Sequence, residues 1–117
     1  MKRRRAETWG RRAEDIAGWW LRLKGYRILA KRVRTPFGEV DLVIRRGSTL
    51  VFVEVKARLD AASAAAAITP VTQRRVFRAS NALLARFGKG CAAVRIDVVL
   101  ISPWRLPRHI VGAWMGE

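Results

Sequence analysis

Two runs near the middle of the chain, GEVDLVI at 38–44 and LVFVEVKAR at 50–58, set charged residues inside otherwise apolar, strand-like sequence. A strand rich in Val, Ile, Leu and Phe on both faces reads as buried, so ionised Asp41, Glu54 and Lys56 would each cost several kcal/mol unless partnered. Side chains alternate along a strand, which puts Glu54 and Lys56, two apart, on one face. If the RRGS link at 45–48 makes a short hairpin loop that pairs Arg45 with Leu50, Asp41 falls opposite Glu54, with Cβ atoms roughly 4.5–5.5 Å apart. Carboxylates that close raise each other's proton affinity unless a divalent cation or the Lys56 ammonium stands between them. The arrangement invites a metal ion. On the other face Val40, Leu42 and Ile44 are expected against Val51, Val53 and Val55, an apolar surface for a helix to cover.

A length of 117 residues fits one domain with a modest two-layer core. The longest apolar stretch falls far short of the ~18 residues that span a bilayer, so no membrane is expected as partner. WGRRAED follows the basic MKRRR where a secretory signal would have its apolar core. Cys91 is the sole cysteine, which excludes an internal disulfide and a thiolate zinc cluster and suits a cytoplasmic location. The formal net charge is +15, with 24 Lys and Arg against 9 Asp and Glu. Such an excess favours polyanions: arginine contacts phosphate through two parallel hydrogen bonds, and nucleic-acid binding of this kind is salt-dependent.

Residues 7–24 read as a helix, with Trp9, Ala13, Ile16, Ala17 and Trp20 at helical spacing and Gly25 as its stop. Residues 26–34 read as a strand, and Thr35-Pro36-Phe37-Gly38 as a turn into the first charged run. The Ala-rich stretch 59–68 is expected as a mobile loop or lid. Thr69-Pro70 starts a helix that runs to Phe87, with Val76, Ala79, Leu83 and Phe87 on one stripe and Arg74, Arg78 and Arg86 on another. Residues 94–101 form a fourth strand before a tail with Trp104, His109 and Trp114. The expected architecture is α/β, α+β-like: a single domain of order α-β-β-β-α-β whose mixed four-stranded sheet is flanked by helices. A basic leader at 1–6, a core at 7–101 and a tail at 102–117 packing on that core complete it.

With those elements placed, the chain resembles the YraN-like endonuclease family, whose core is similar to the PD-(D/E)-x-K nucleases, of restriction-endonuclease-like fold, and to archaeal Holliday-junction resolvases. The likeness rests on GRRAEDIAGWWLRLKGYRIL at 10–29, RTPFGEVDLV at 34–43, VFVEVKAR at 51–58 and VRIDVVL at 94–100. It implies that Asp41 is the metal-binding Asp, Glu54 the acidic residue of the (D/E)-x-K motif and Lys56 its lysine, with Glu14 the helical Glu that completes the site. Gln73, Arg74 and Arg75 fall where family members carry a Lys before the Gln; that place is Thr72 here, and Arg74 or Arg75 is a candidate for the missing charge. The expected nucleic-acid contacts are Arg11, Arg12, Arg34, Arg58, Gln73, Arg74 and Arg78. Resolvase-like nucleases often work as pairs, which admits a homodimer through the Trp-bearing tail.

The implied chemistry is Mg²⁺-dependent, or Mn²⁺-dependent, hydrolysis of phosphodiester bonds in DNA, including branched or repair intermediates. Asp41, Glu54 and the backbone carbonyl of Val55 would supply oxygen ligands, and Lys56 would orient water or neutralise developing charge. The competing reading is a nucleic-acid-binding module, for DNA or RNA, in which the three charges form a buried ion-pair network that fixes strand register. Asp97 reads as structural, salt-bridged to an Arg, and His109 as a structural or surface imidazole. Trp9, Trp19, Trp20, Trp104 and Trp114 read as core or as a base-stacking platform.

Overall fold

The computed structural model describes residues 2–113, with side chains from residue 9 onward except 61, 64 and 65; Trp114 lies outside the described residues. Helix α1 spans Lys2–Leu23, so the expected leader is already helical from its second residue. Ala13, Ala17 and Leu21, spaced by one turn, are fully buried, whereas Ile16 and Trp19 face outward. Leu21 thus replaces Ile16 on the buried stripe. Gly25, at φ +93°, ends the helix, and the Tyr26 amide closes back on Leu21 O at 3.0 Å.

Strands β1 (Arg27–Thr35), β2 (Gly38–Arg46) and β3 (Thr49–Ala57) form an antiparallel meander. Thr35 fastens the first turn: its hydroxyl donates to Gly38 O at 2.7 Å and accepts from the Phe37 amide at 3.1 Å. Two helices follow. The expected mobile loop instead contains α2 (Ala61–Ala66), where alanine propensity prevails and the Asp60 carboxylate accepts from the Ser63 amide at 2.8 Å. Helix α3 (Pro70–Phe87) has Thr69 at its cap, accepting from the Thr72 amide, and Pro70 in its first turn. At 18 residues α3 is far longer than α2, and it packs across β1, β2 and β3 on one face of the sheet.

The crossover through α2 and α3 returns β4 (Ala93–Ile101) parallel to β3, and β5 (Arg108–Ile110) then pairs antiparallel with β4. The sheet is therefore mixed and five-stranded, in the order β1-β2-β3-β4-β5, rather than four-stranded; three residues in the expected tail pair with Val98, Val99 and Leu100. The molecule is a single α+β domain. Val33, Val40, Val43, Leu50, Phe52, Ile96, Val98 and Leu100 pack beneath α3, and Leu42, Ile44, Val51, Val53, Val99 and Ile101 beneath α1.

Val40 is on the opposite face from the one its spacing predicts. It packs with Val43 under α3, while Leu42 and Ile44 pack under α1. Alternation therefore breaks at Asp41. Across the ladder, Arg32 has φ +50° and drops out of the pairing between Lys31↔Leu42 and Val33↔Val40. A left-handed backbone at a non-glycine residue costs about 1–2 kcal/mol, and here it falls across from Asp41 with the register unchanged on either side.

Candidate active site

Arg45 pairs with Leu50, as the loop length predicts, and the ladder runs to Leu42↔Val53. One step further the register would set Asp41 opposite Glu54, but the pairing of β2 with β3 stops short of it. The gap is filled by the Asp41 side chain, whose Oδ2 accepts from the Val55 amide at 2.7 Å. In an antiparallel pair the N–H and C=O of a hydrogen-bonding residue face the same neighbour, so the Val55 carbonyl also aims at this opening.

Glu54 is buried at the base of the fork. Its Oε2 accepts from Arg75 Nη2 of α3 at 3.0 Å, and its Oε1 lies 3.9 Å from Lys56 Nζ. Burial, followed by the negative charge of Glu54 and a hydrogen bond with it, pushes the Asp41 carboxyl up to about 8, against the lowering effect of the Val55 amide. Asp41 therefore holds its proton far more tightly than an ordinary carboxyl.

Glu14 of α1 and Asp41 share a hollow of about 270 Å³ lined by Trp9, Gly10, Ala13, Glu14, Asp41, Val55, Lys56, Ala57 and Arg58, whereas the Glu54 carboxylate is held outside this lining by Arg75. Burial raises the proton affinity of Glu14, an effect that Arg32 opposes through a 2.9 Å hydrogen bond and the Asp41 charge reinforces. Among the described residues no group of three or more His, Cys, Asp or Glu side chains is close enough to hold a metal ion. The donor set is two carboxylates and one carbonyl, with Glu14 standing off against Arg32. Hard oxygen donors of this number fit Mg²⁺, which keeps several of its waters.

Arg75 is the residue that spacing did not single out. Its side chain crosses the β1–β2 turn, where Nη1 also donates to Glu39 O at 3.3 Å. Gly38 makes that crossing possible: its φ is +133°, and a Cβ there would stand 3.1 Å from Arg75 Cγ and Cδ. The glycine of the G-E-x-D run therefore serves the acidic residue of the neighbouring strand, and of the two arginines that the resemblance offered for the missing charge it is Arg75 that reaches Glu54.

The other expected contacts spread more widely. Arg11 and Arg12 are exposed on α1, Arg74 and Arg78 are exposed on α3, and Gln73 is half-buried beside them. Arg34 is exposed with Nε 3.9 Å from Glu39 Oε2, whereas Arg58 lines the hollow itself. Asp97 and His109 belong to a separate buried network. Asp97 accepts from Arg95 at 2.7 Å and from the Gly112 amide at 2.8 Å, with His109 Nε2 2.6 Å away and Tyr26 OH accepting from Arg95.

The family model described as "Uncharacterised protein family UPF0102" matches residues 13–101, which contain Glu14, Asp41, Glu54, Lys56 and Arg75. The chain belongs to the UPF0102 family. This is the YraN-like family that the motifs resemble. Similar members include the UPF0102 protein of Rhizorhabdus wittichii, 55% identical over 99% of this chain and 98% of the relative. That of Sphingopyxis alaskensis is 54% identical over 97% and 98%, and that of Parvibaculum lavamentivorans 53% identical over 90% and 80%. These UPF0102 relatives share the full span of the candidate site.

Proposed function

We propose that this UPF0102 protein is a metal-dependent endonuclease that hydrolyses phosphodiester bonds in DNA. The observation that carries the reading is the half-buried Asp41 carboxyl in the β2–β3 fork, bonded to the Val55 amide and close to the buried Glu54. A strand pair held only for stability would close the ladder with backbone groups; here a carboxylate takes the backbone's place and another is buried beside it. In this reading Asp41, Glu54 and the Val55 carbonyl hold Mg²⁺ or Mn²⁺. The bound ion lowers the pKa of a coordinated water and offsets charge on the phosphate.

The chain's own residues do the rest. Lys56, next to Glu54, neutralises charge that develops on the phosphate oxygens as the bond to the leaving oxygen lengthens. Arg75 fixes the Glu54 carboxylate in one orientation, and Glu14 positions a water across the hollow. Arg11, Arg12, Arg34, Arg58, Gln73, Arg74 and Arg78 supply phosphate contacts around it. A second reading, a non-catalytic nucleic-acid-binding module, is favoured by one observation: Arg75 and Lys56 already partner Glu54.

Cleavage assays with Mg²⁺ or Mn²⁺ on linear duplex, single-stranded and four-way DNA separate the two. An endonuclease cuts at least one of them, and Asp41→Ala or Lys56→Ala abolishes cutting while binding stays within about threefold. No cutting of any substrate, with binding indifferent to metal, selects the binding module.

A further inference from the structure

Beyond the sheet, one side chain stands against the ordinary logic of folding. Trp104 is fully exposed and sits at φ +63°. Left-handed backbone at a bulky residue is a true outlier, and exposing an indole forgoes the largest apolar burial any side chain offers. The loop that presents it, 102–107, is stiffened by Pro103 and Pro107, which fix their own φ and confine the residues between them.

The place of this loop in the fold gives it a use. β3 and β4 run parallel in the register Lys56↔Leu100 and Ala57↔Ile101, and the Arg58 amide donates to Ile101 O at 3.0 Å. The loop therefore leaves the sheet at the same end as Glu54, Lys56 and the hollow. Beneath it is a cavity of about 410 Å³ lined by Leu100, Ser102, Arg105, Leu106 and Arg108. Its floor, Leu100, neighbours Lys56 on the adjacent strand, a spacing of about 4.8 Å. Two guanidinium groups, a hydroxyl and two leucines form a surface that takes a phosphate and the flat apolar face of a base. The indole, in the same loop and next to Arg105 in the chain, stands fully exposed.

We propose that the 102–107 loop is a stacking finger that selects an unpaired DNA strand. Trp104 stacks on a base, while Arg105 and Arg108 hold the adjoining phosphate, so that the strand runs on toward Lys56. The inference rests on the DNA reading of the carboxylate site and adds its substrate class: DNA with a single-stranded segment rather than continuous duplex. A base inside a duplex already stacks on both sides and has no face to offer, whereas an unpaired base does. The finger lies past residue 101, where the family match ends.

The test is a binding measurement in EDTA with a homothymidine oligonucleotide and a blunt duplex as probes, alongside a Mg²⁺ cleavage assay on both. Trp104→Ala is expected to weaken single-strand binding by roughly 5–100-fold, the range for losing one base–aromatic stack, and to leave duplex affinity within about twofold. Trp104→Phe, which keeps a stacking face, should restore most of the affinity. Tryptophan fluorescence should be quenched by the oligonucleotide in the wild-type chain and much less in Trp104→Ala. Equal losses on both probes, or none on either, overturn the finger even where cleavage is intact. Stacking without cleavage leaves the finger standing and removes the nuclease reading instead.

Discussion

At neutral pH the Asp41 carboxyl keeps its proton because burial and the adjacent Glu54 both disfavour its charge. The folded chain binds that proton more tightly than the unfolded chain, so this contribution to stability is fully present below the ordinary carboxyl value of 3.8 and is lost as pH rises through about 8. Asp41→Asn retains an acceptor for the Val55 amide and removes the titration. Urea unfolding should show the variant more stable than wild type at pH 9, by roughly 2–5 kcal/mol, each tenfold change in proton affinity being worth about 1.4 kcal/mol, with the gap closing near pH 4. Equal pH slopes in the two proteins would mean that the carboxyl is not buried against Glu54. Arg75 makes the complementary case. Arg75→Ala leaves buried Glu54 with only Lys56 at 3.9 Å, and a loss of roughly 2 kcal/mol is expected, less than for a fully enclosed pair because the guanidinium is partly exposed. The approach of Asp41 to Glu54 was legible only in part: the short loop sets the register as far as Leu42 and Val53, but the pairing stops there and alternation breaks at Asp41. That Arg75 rather than Arg74 partners Glu54 was not legible, because it depends on where α3 crosses a turn far away in the chain.

Among the elements, β2 and its turn carry the site. Gly38→Ala adds a Cβ at φ +133° and 3.1 Å from the Arg75 side chain, so it should both destabilise the fold by about 1–3 kcal/mol and release Arg75 from Glu54. A double-mutant cycle of Gly38→Ala with Arg75→Ala reads that coupling: strongly non-additive losses are expected, and additive ones would show that the glycine serves only its own turn. At the other end of the sheet, β5 is held by Asp97. Burial alone would raise its carboxyl, but hydrogen bonds with His109, Arg95 and the Gly112 amide outweigh that and hold it down at about 2. Its stabilisation is therefore present above 3.8 and lost as pH falls through about 2. Asp97→Asn should lower stability at pH 7 by about 2 kcal/mol and flatten the acid limb; an unchanged acid limb would contradict the role. The strands β1 to β4 and helix α3 were readable because each couples an apolar period to a turn signal such as Thr69-Pro70. β5 was not, being three residues whose pairing is set by Val98, Val99 and Leu100. The face reversal of Val40 escaped as well: it coincides with the left-handed backbone of Arg32 on a different strand, and nothing local to Val40 announces it.

For the whole molecule, charge is the dominant fact. A net +15 on a chain with no helix, among the described residues, long and apolar enough to cross a membrane gives a surface suited to polyanions. If DNA is the partner, affinity for a short duplex should drop by about 10³-fold or more between 50 and 200 mM salt, as six or more phosphate contacts release counterions. Affinity flat across that range would exclude a phosphate-binding surface. Composition made this readable before any fold was known, whereas it cannot say which cationic side chains border the hollow: Arg58 lines it, and Arg11 and Arg12 do not.

Calorimetric titration of the purified chain with Mn²⁺ or Mg²⁺ at pH 7, repeated in buffers of different ionisation enthalpy, tests the paired carboxylates most directly. If Asp41 and Glu54 jointly hold a divalent ion, wild type binds about one ion and releases about one proton, the proton that Asp41 otherwise keeps. Asp41→Asn and Glu54→Gln each abolish that heat. Binding that releases no proton, or that survives both substitutions, would place the metal elsewhere and contradict the site.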